Sequence, residues 1–511
     1  MRREPRNRSK RRWGLERDLI DGDELMAYEP VLMRNVGVPN STSIDTYKQA
    51  GGYQGAAQAL QMKPDEVVEL VKRANLRGRG GAGFPAGVKW TFLPPDRERT
   101  YLCVNADESE PPTFCNRITI EQDPHMLLEG ILIAGYATRS QVAYIYMRGE
   151  FIEQFHVLQK AIDAAYAAGY FGQNILNSGY NLDCYIHRGA GAYVCGEETG
   201  LIESLEGKRG WPRIKPPFPA IEGAFGQPTV VNNVETLACL PHIVTRGVEW
   251  WQSLGKENSW GPKMYCISGP VKRPGCYEAP LGLSVRELIY GEDFGGGMRD
   301  GKKVKAVLPG GFSMGVLRGD VFPKAPDGTV DPEQEWDELD CKLDFGDPQR
   351  YGLLGLGTAA AVVVPEDVDI RDVLANVARF FASESCGQCT QCREGTNWMH
   401  KIAQRIQAGA GRPYDLDLIA ELTQNMGMMP GMSICGLSDG AVFPLRMLVQ
   451  KFRDEFERHF AAQEPDAVAH YIKATNAAAY NLPIEQGRAT AFAAGTMLQP
   501  EHLQDQIAQT H

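Results

Sequence analysis

Long hydrophobic runs are missing from this 511-residue chain. Its longest apolar stretch, residues 353–365, is broken by glycine and falls short of the ~18 residues a bilayer-spanning helix needs. Positive charge is in deficit as well: 53 Lys and Arg against 64 Asp and Glu leave a net −11. That balance lacks the positive field that polyphosphate binding requires, so nucleic acid is excluded as a main partner. Cysteine is scarce, 12 residues in all, too few for a disulfide scaffold. No internal repeat of solenoid period is present. Seven Arg or Lys crowd the first thirteen residues, but no hydrophobic segment follows them. They therefore do not read as a secretory signal, and residues 1–26 are expected to be a disordered basic leader.

Glycine is abundant instead, at 55 residues against an average near 7%. Glycine lets backbone approach a ligand closely. The length suggests about three domains. Residues 63–75 read as a helix, with Val67, Val68, Leu70, Val71 and Ala74 at helical spacing and Pro64 near the entry. Strand-like runs (YLCVNA, AYIYMRGE, LDCYIHRG) then alternate with helix-like runs (HMLLEGILIAGYAT, QFHVLQKAIDAAYAAGY). This alternation is the signature of an α/β sheet with parallel strands. Near residue 261 short strands and Pro-Gly turns predict a small α+β unit, followed by an acidic loop over 318–347. From residue 369 helical patterns dominate. The predicted division is a leader (1–26), an α/β domain (27–255), an α+β unit with its loop (256–347), a helical domain (348–465) and a tail (466–511).

Two glycine-rich segments carry the first functional signal. GRGGAGFPAG, residues 78–87, formally fits G-x-G-x-x-G, but a helix precedes it where the dinucleotide fingerprint needs a strand. Backbone cradling of a phosphate or flat ring is the better reading, with Arg79 and Lys89 as nearby cations. In the second segment, residues 186–207, strand, glycine loop and helix follow one another. That order predicts an anion site at the helix N-terminus. Glu197 and Glu198 fall in its first turn, where acids also simply favour the helix dipole. Lys215 and Phe218 lie on the stiff KPPFPA segment, and Asn232, Asn233 and Thr236 can read polar edges. Asp107, Glu108 and Glu110 follow a strand, where α/β proteins bind ligands.

Cys386, Cys389 and Cys392 are spaced C-x-x-C-x-x-C. Three close thiolates plus a remote fourth suit a 4Fe–4S cluster better than zinc, which pairs one C-x-x-C with another pair. Cys435 is the best-placed fourth ligand, ahead of Cys341 and Cys276. Cys103, Cys115, Cys184, Cys195, Cys239 and Cys266 read as buried small hydrophobes.

In order along the chain stand LRGRGGAGFPAGVKW, NADESEP, DPHMLLEG, HRGAGAYVCGEETGLIESLEGKRG, PRIKPPFPA, TVVNNVETL and SESCGQCTQCREGT. Together, over about residues 29–459, they resemble the NADH-binding flavoprotein subunits of respiratory complex I, the F-type subunits of NADH-quinone oxidoreductase. The resemblance implies a Rossmann-like α/β domain for FMN. A ubiquitin-like (soluble-ligand-binding β-grasp) domain and an α-helical bundle carrying one 4Fe–4S cluster would follow it. It implies FMN or nucleotide contacts from Gly78, Arg79, Gly80, Gly81, Ala82, Gly83, Gly87, Lys89, Asn105, Asp107 and Glu108. Tyr193, Gly196, Glu197, Asn232, Asn233 and Thr236 would help hold FMN. Phe84 and Phe92 would stack on the adenine of NADH, with Phe218 nearby, and Glu110, Glu198 and Lys215 would contact the nucleotide. Cys386, Cys389, Cys392 and Cys435 would ligate the cluster.

The implied chemistry is hydride transfer from NADH to FMN and single-electron delivery to the cluster, towards quinone. The implied partners are a thioredoxin-like 2Fe–2S subunit and a large multi-cluster iron–sulfur subunit. The implied place is the peripheral arm of the complex, at the cytoplasmic face of a bacterial inner membrane, with no span of its own. Glu110 and Glu198 are expected to disfavour a 2′-phosphate. The alternative is the diaphorase subunit of a soluble NAD-dependent hydrogenase or formate dehydrogenase. The chain departs from the family pattern at Pro112-Thr113-Phe114-Cys115-Asn116-Arg117, where Gly-Thr/Ser-Phe-Lys-Asp-Arg is usual.

Overall fold

Runs rich in Val, Ile and aromatic residues between 101 and 233 form four strands of one sheet: β1 (Tyr101–Ala106), β2 (Val142–Met147), β3 (Asp183–Arg188) and β4 (Thr229–Asn233). The structure, a computed structural model, describes residues 28–321, 337–427 and 432–479. The expected leader and the tail beyond residue 479 lie outside the described residues. So does half of the acidic loop, residues 322–336.

The first sheet has the order β3-β2-β1-β4 and is parallel throughout. The chain builds outward from β1 through β2 to β3, then returns to the far side of β1 with β4. This reversal leaves a crevice at the carboxyl ends of β1 and β4. TVVNN, read above only for its polar side chains, is thus a strand beside β1. Six helices matter for the site: α1 (Pro64–Arg73), α2 (Ala86–Trp90), α3 (Cys115–Gln122), α4 (Pro124–Thr138), α5 (Ile152–Ala167) and α6 (Glu198–Leu205). Helix α4 is apolar on nearly every face and is buried almost completely, as a central core helix should be. Asp123 caps it by accepting from the Met126 N–H.

The second sheet has five strands: β5 (Pro262–Ser268), β6 (Gly275–Pro280), β7 (Val304–Leu308), β8 (Leu317–Arg318) and β9 (Ala360–Pro365). Their order is β8-β7-β9-β5-β6. Strand β9 corrects the expected division, which put residues 348–465 in the helical part. It runs parallel to β5 and antiparallel to β7, at the centre of the sheet. Buried on both faces, it shows no alternation and reads as a plain apolar run.

Four helices follow: α7 (Ile370–Glu384), α8 (Thr390–Gln407), α9 (Asp415–Met426) and α10 (Leu437–Lys451). They share one continuous core with the second sheet, in which Leu308 and Val363 of the sheet join Phe381 and Leu448 of the helices.

Candidate functional site

The crevice of the first sheet is where the expected residues converge. Asn105, near the end of β1, stands opposite Asn233, at the end of β4. The Asn105 amide donates to the Gly196 carbonyl at 2.7 Å, which ties the second glycine segment to the crevice. Asn232 accepts from the Trp90 indole at 2.9 Å, fixing α2 against β4. Asn233 accepts from the Glu235 N–H at 2.9 Å and caps the short helix that follows.

The first glycine loop leaves α1 and folds back on itself, closed by a Gly78 N–H to Phe84 carbonyl bond of 2.9 Å. Gly81 and Gly83 take φ of +131° and +67°, values that side-chain-bearing residues rarely adopt. A Cβ at Gly80 would stand 3.0 Å from Asn233 Cβ, so glycine lets the loop lie against β4. Thr236 accepts from the Arg79 N–H at 2.8 Å, and the Arg79 side chain is buried, with Nη2 donating to the Trp260 carbonyl at 2.7 Å. Its Nε and Nη1 are buried without a hydrogen-bond partner among the described residues.

Two adjoining cavities, of about 810 and 500 Å³, open from the crevice. Both are walled by Gly80, Gly81, Ala82, Asn105, Gly196, Glu197 and Asn233. The larger adds Gly78, Gly83, Phe84, Lys89, Phe92, Glu198, Lys215, Phe218, Asn232 and Thr236. The smaller adds Arg79, Asp107, Glu108, Glu110, Tyr193 and Cys435. Of the expected contact residues only Gly87 stays out of both walls. It is buried where α2 crosses α1, and a Cβ there would meet Lys72 N at 2.5 Å. Its glycine therefore serves helix packing.

Phe84, Phe92 and Phe218 are 45%, 52% and 56% exposed, unusual for large apolar side chains. The Phe84 and Phe92 rings stand 6.0 Å apart between centroids and tilt towards each other by 51°. They present open ring faces at the mouth of the larger cavity.

The electrostatics differ from the sequence-based expectation. Glu197 accepts from the Thr199 and Gly200 N–H groups at 2.8 and 2.9 Å, so the N-terminus of α6 is capped by its own carboxylate. The anion site expected there is filled by protein. Lys215 Nζ lies 2.8 Å from Glu197 and 3.2 Å from Glu198, and Lys89 Nζ lies 3.0 Å from Glu198. Burial pushes the Glu198 carboxyl up, but the two lysines outweigh it and hold the group below its ordinary value.

The acidic loop after β1 is differentiated. Glu108 is buried and accepts from the Asn116 and Arg117 N–H groups at 2.7 and 2.9 Å, so it anchors the start of α3. Burial nonetheless pushes its carboxyl up to about 8. Burial likewise raises Asp107 to about 7, against a hydrogen bond from Ser109. Glu110 accepts from the Tyr193 hydroxyl at 2.5 Å and from the Ser313 N–H at 2.8 Å. Ser313 was missed from sequence, as was Phe345, which lies under the Arg77 guanidinium at 4.2 Å. Both come from the second sheet and its loops, over 200 residues away in the chain, and no local pattern marks them.

Cys386, Cys389 and Cys392 bracket the turn into α8, and Cys435 stands just before α10. None of the four is in a disulfide. The Ile434 N–H donates to Cys389 Sγ at 3.4 Å, and Ser385 Oγ lies 3.3 Å from Cys392 Sγ. Burial, with the nearby Glu197, Cys386 and Cys392 charges, raises the Cys435 thiol to about 12. A cationic iron cluster is the group that would hold such thiols as thiolates. The orphaned guanidinium nitrogens of Arg79 and the glycine cradle of Gly80 fit a flat, anionic cofactor in the crevice.

Known proteins agree with this geometry. A family model described as the Nuo51 FMN-binding domain matches residues 71–242. The NADH-ubiquinone oxidoreductase-F iron-sulfur binding region matches 372–459, and the SLBB domain matches 264–317. The second F-type NADH-quinone oxidoreductase subunit of Rhizobium meliloti (strain 1021) is 48% identical, covering 84% of this chain and 98% of that protein. The F-type subunit of Escherichia coli (strain K12) is 43% identical, covering 84% and 92%. A solved NAD+-reducing [NiFe]-hydrogenase, in the air-oxidised state, superposes with a TM-score of 0.69 at 34% identity, over 86% of this chain and 70% of that one. With the crevice, the cradle and the four cysteines in one place, the chain belongs to the family of F-type NADH-quinone oxidoreductase subunits.

Proposed function

We propose that this chain is the NADH-oxidising subunit of a multi-subunit NADH-quinone oxidoreductase, with FMN in the crevice and NADH seated outside it. One observation carries the reading: a continuous wall runs from the exposed phenylalanines, past the glycine loop, to Cys435. FMN held by the glycine loop and the Asn105, Asn232 and Asn233 rim would supply a hydride acceptor for NADH and a one-electron donor towards the cluster that the four cysteines would hold.

The protein's own task is placement. Phe84, Phe92 and Phe218 offer ring faces to an adenine. Gly80 to Gly83 bring backbone against the cofactor, and Asn105, Asn232 and Asn233 hold the crevice rim. Arg79 supplies a buried cation. Lys89 and Lys215 face the ligand as partners of Glu198 and Glu197. Glu198 and Glu110 act through orientation and charge, since hydride transfer calls for no protein base. Orienting the reactants can lower the barrier by up to ~7–11 kcal/mol. Cys386, Cys389, Cys392 and Cys435 hold the cluster.

No helix among the described residues is long and apolar enough to cross a membrane. In this reading the subunit reaches the membrane through its assembly, docked on a thioredoxin-like 2Fe–2S subunit and a large multi-cluster subunit. That assembly stands at the cytoplasmic face of a bacterial inner membrane. The likeness to the NAD+-reducing hydrogenase supports a second reading, a diaphorase subunit of such an enzyme. Co-purification with membrane quinone-reductase subunits decides between the two.

The test of the activity is anaerobic purification with FMN and iron analysis, on the native chain and Cys435→Ala. The native protein should carry one FMN and about four irons, and reduce ferricyanide with NADH. Cys435→Ala should lose iron and keep FMN. Absence of flavin in the native protein refutes the reading.

A further inference from the structure

Three cysteines not among the cluster ligands meet at one point, beside the smaller cavity, which Cys115 also lines. Cys115 opens α3, Cys266 lies on β5, and Cys276 faces Cys266 across the β5–β6 ladder. Their three Sγ atoms lie within 4.8 Å of one another, with Cys115 and Cys266 at 3.2 Å. They are 1%, 0% and 2% exposed, and none is in a disulfide. Single buried cysteines such as Cys103, Cys184 and Cys239 are explained as small hydrophobes. That explanation does not account for three sulfurs from three separate elements converging.

The surroundings narrow the chemistry. The acids near the trio are already engaged: Glu108 takes two backbone N–H groups, and Glu235 pairs with Lys263 at 2.6 Å. The donors left are sulfur. Soft thiolates select closed-shell thiophilic cations and reject hard oxygen-seeking ones. Sulfurs about 2.3 Å from a shared ion stand some 4 Å apart, so the Cys115–Cys266 pair, 3.2 Å apart here, would open slightly to admit one.

We infer that Cys115, Cys266 and Cys276 form a buried structural site for a thiophilic closed-shell cation, Zn2+ or Cu+. Binding releases the three thiol protons to solvent and transfers no electrons. The ion would fasten the start of α3 to the second sheet, and with it the Asp107–Glu110 loop that walls the smaller cavity. Zinc would draw a fourth ligand, whereas Cu+ is satisfied by three sulfurs.

The full chain, purified anaerobically with FMN and cluster in place, is analysed for zinc, copper, iron and FMN. Cells are grown in zinc-supplemented and, separately, copper-supplemented medium. About one zinc or one copper per chain is expected beyond the cluster iron, and the growth arm that fills the site identifies the ion. Cys115→Ala and Cys276→Ala should each lose that ion, and Cys276→Ala, which touches neither cavity, should keep iron and FMN. X-ray absorption at the metal edge of the native protein should show a shell of three sulfurs, near 2.3 Å for zinc. That spectrum decides the matter if either variant fails to fold. Native protein with neither ion, an ion retained in both variants, or a Cys115–Cys266 disulfide in the purified chain overturns the proposal.

Discussion

The Tyr193 hydroxyl donates to Glu110 Oε2 at 2.5 Å, joining the segment after β3 to the segment after β1. The other oxygen of Glu110 accepts from the Ser313 N–H, so one carboxylate links three parts of the chain. Tyr193→Phe leaves that carboxylate short of a donor. The expected cost is about 1–3 kcal/mol. Chemical denaturation should show it, together with faster FMN loss on dilution. An unchanged midpoint would mean that the bond is not a fastening.

Glu198 neutralises Lys89 and part of Lys215. Glu198→Gln keeps the shape and frees positive charge beside the nucleotide. NADPH should become a better substrate relative to NADH. A tenfold rise in the ratio of kcat/KM values corresponds to about 1.4 kcal/mol. A ratio that stays put removes Glu198 from cofactor choice.

Asp107 ionises near 7 in the fold, against an ordinary value of 3.8. Between those values the unfolded chain has lost the proton and the folded chain keeps it. Stability from this group is therefore complete at low pH and lost as pH rises towards 7. FMN, an anion, should also bind less tightly above pH 7, where Asp107 and then Glu108 carry charge. Asp107→Asn should flatten the slope of stability between pH 4 and 7, as read by urea midpoints. An identical slope in the variant assigns the effect elsewhere.

Gly87 tests packing against ligand contact. Gly87→Ala would press a methyl group onto the Lys72 backbone. Overpacking of this kind costs about 1–3 kcal/mol. A lower Tm is expected, with FMN stoichiometry intact. Loss of FMN at unchanged Tm would return Gly87 to the binding residues.

Strands β1, β2 and β3 were legible because their signals are local: YLCVNA and its neighbours carry period and length within a few residues, whereas the short TVVNN of β4 was read only for its polar side chains. Strand β9 was not, because its partners lie far away and burial on both faces erases alternation. The cysteine spacing carried the cluster, and Cys435 stood out by its place between helical stretches. Chemistry at the crevice was legible in kind but not in pairing. Glu197 was visible as an acid in a first turn. That it turns inward to cap α6 and holds Lys215 depends on a segment 18 residues on. Ser313 and Phe345 had no signal at all, since only the meeting of the two sheets brings them to the cavity.

The row of Lys89, Glu198, Lys215 and Glu197 has a kinetic consequence. Two cations and two anions side by side form an arrangement with no net charge, and its field decays faster with distance than that of a lone lysine pair. A dinucleotide diffusing towards the cleft therefore feels little pull from these groups until it arrives. Its association rate should depend only weakly on ionic strength, in contrast to electrostatically steered capture.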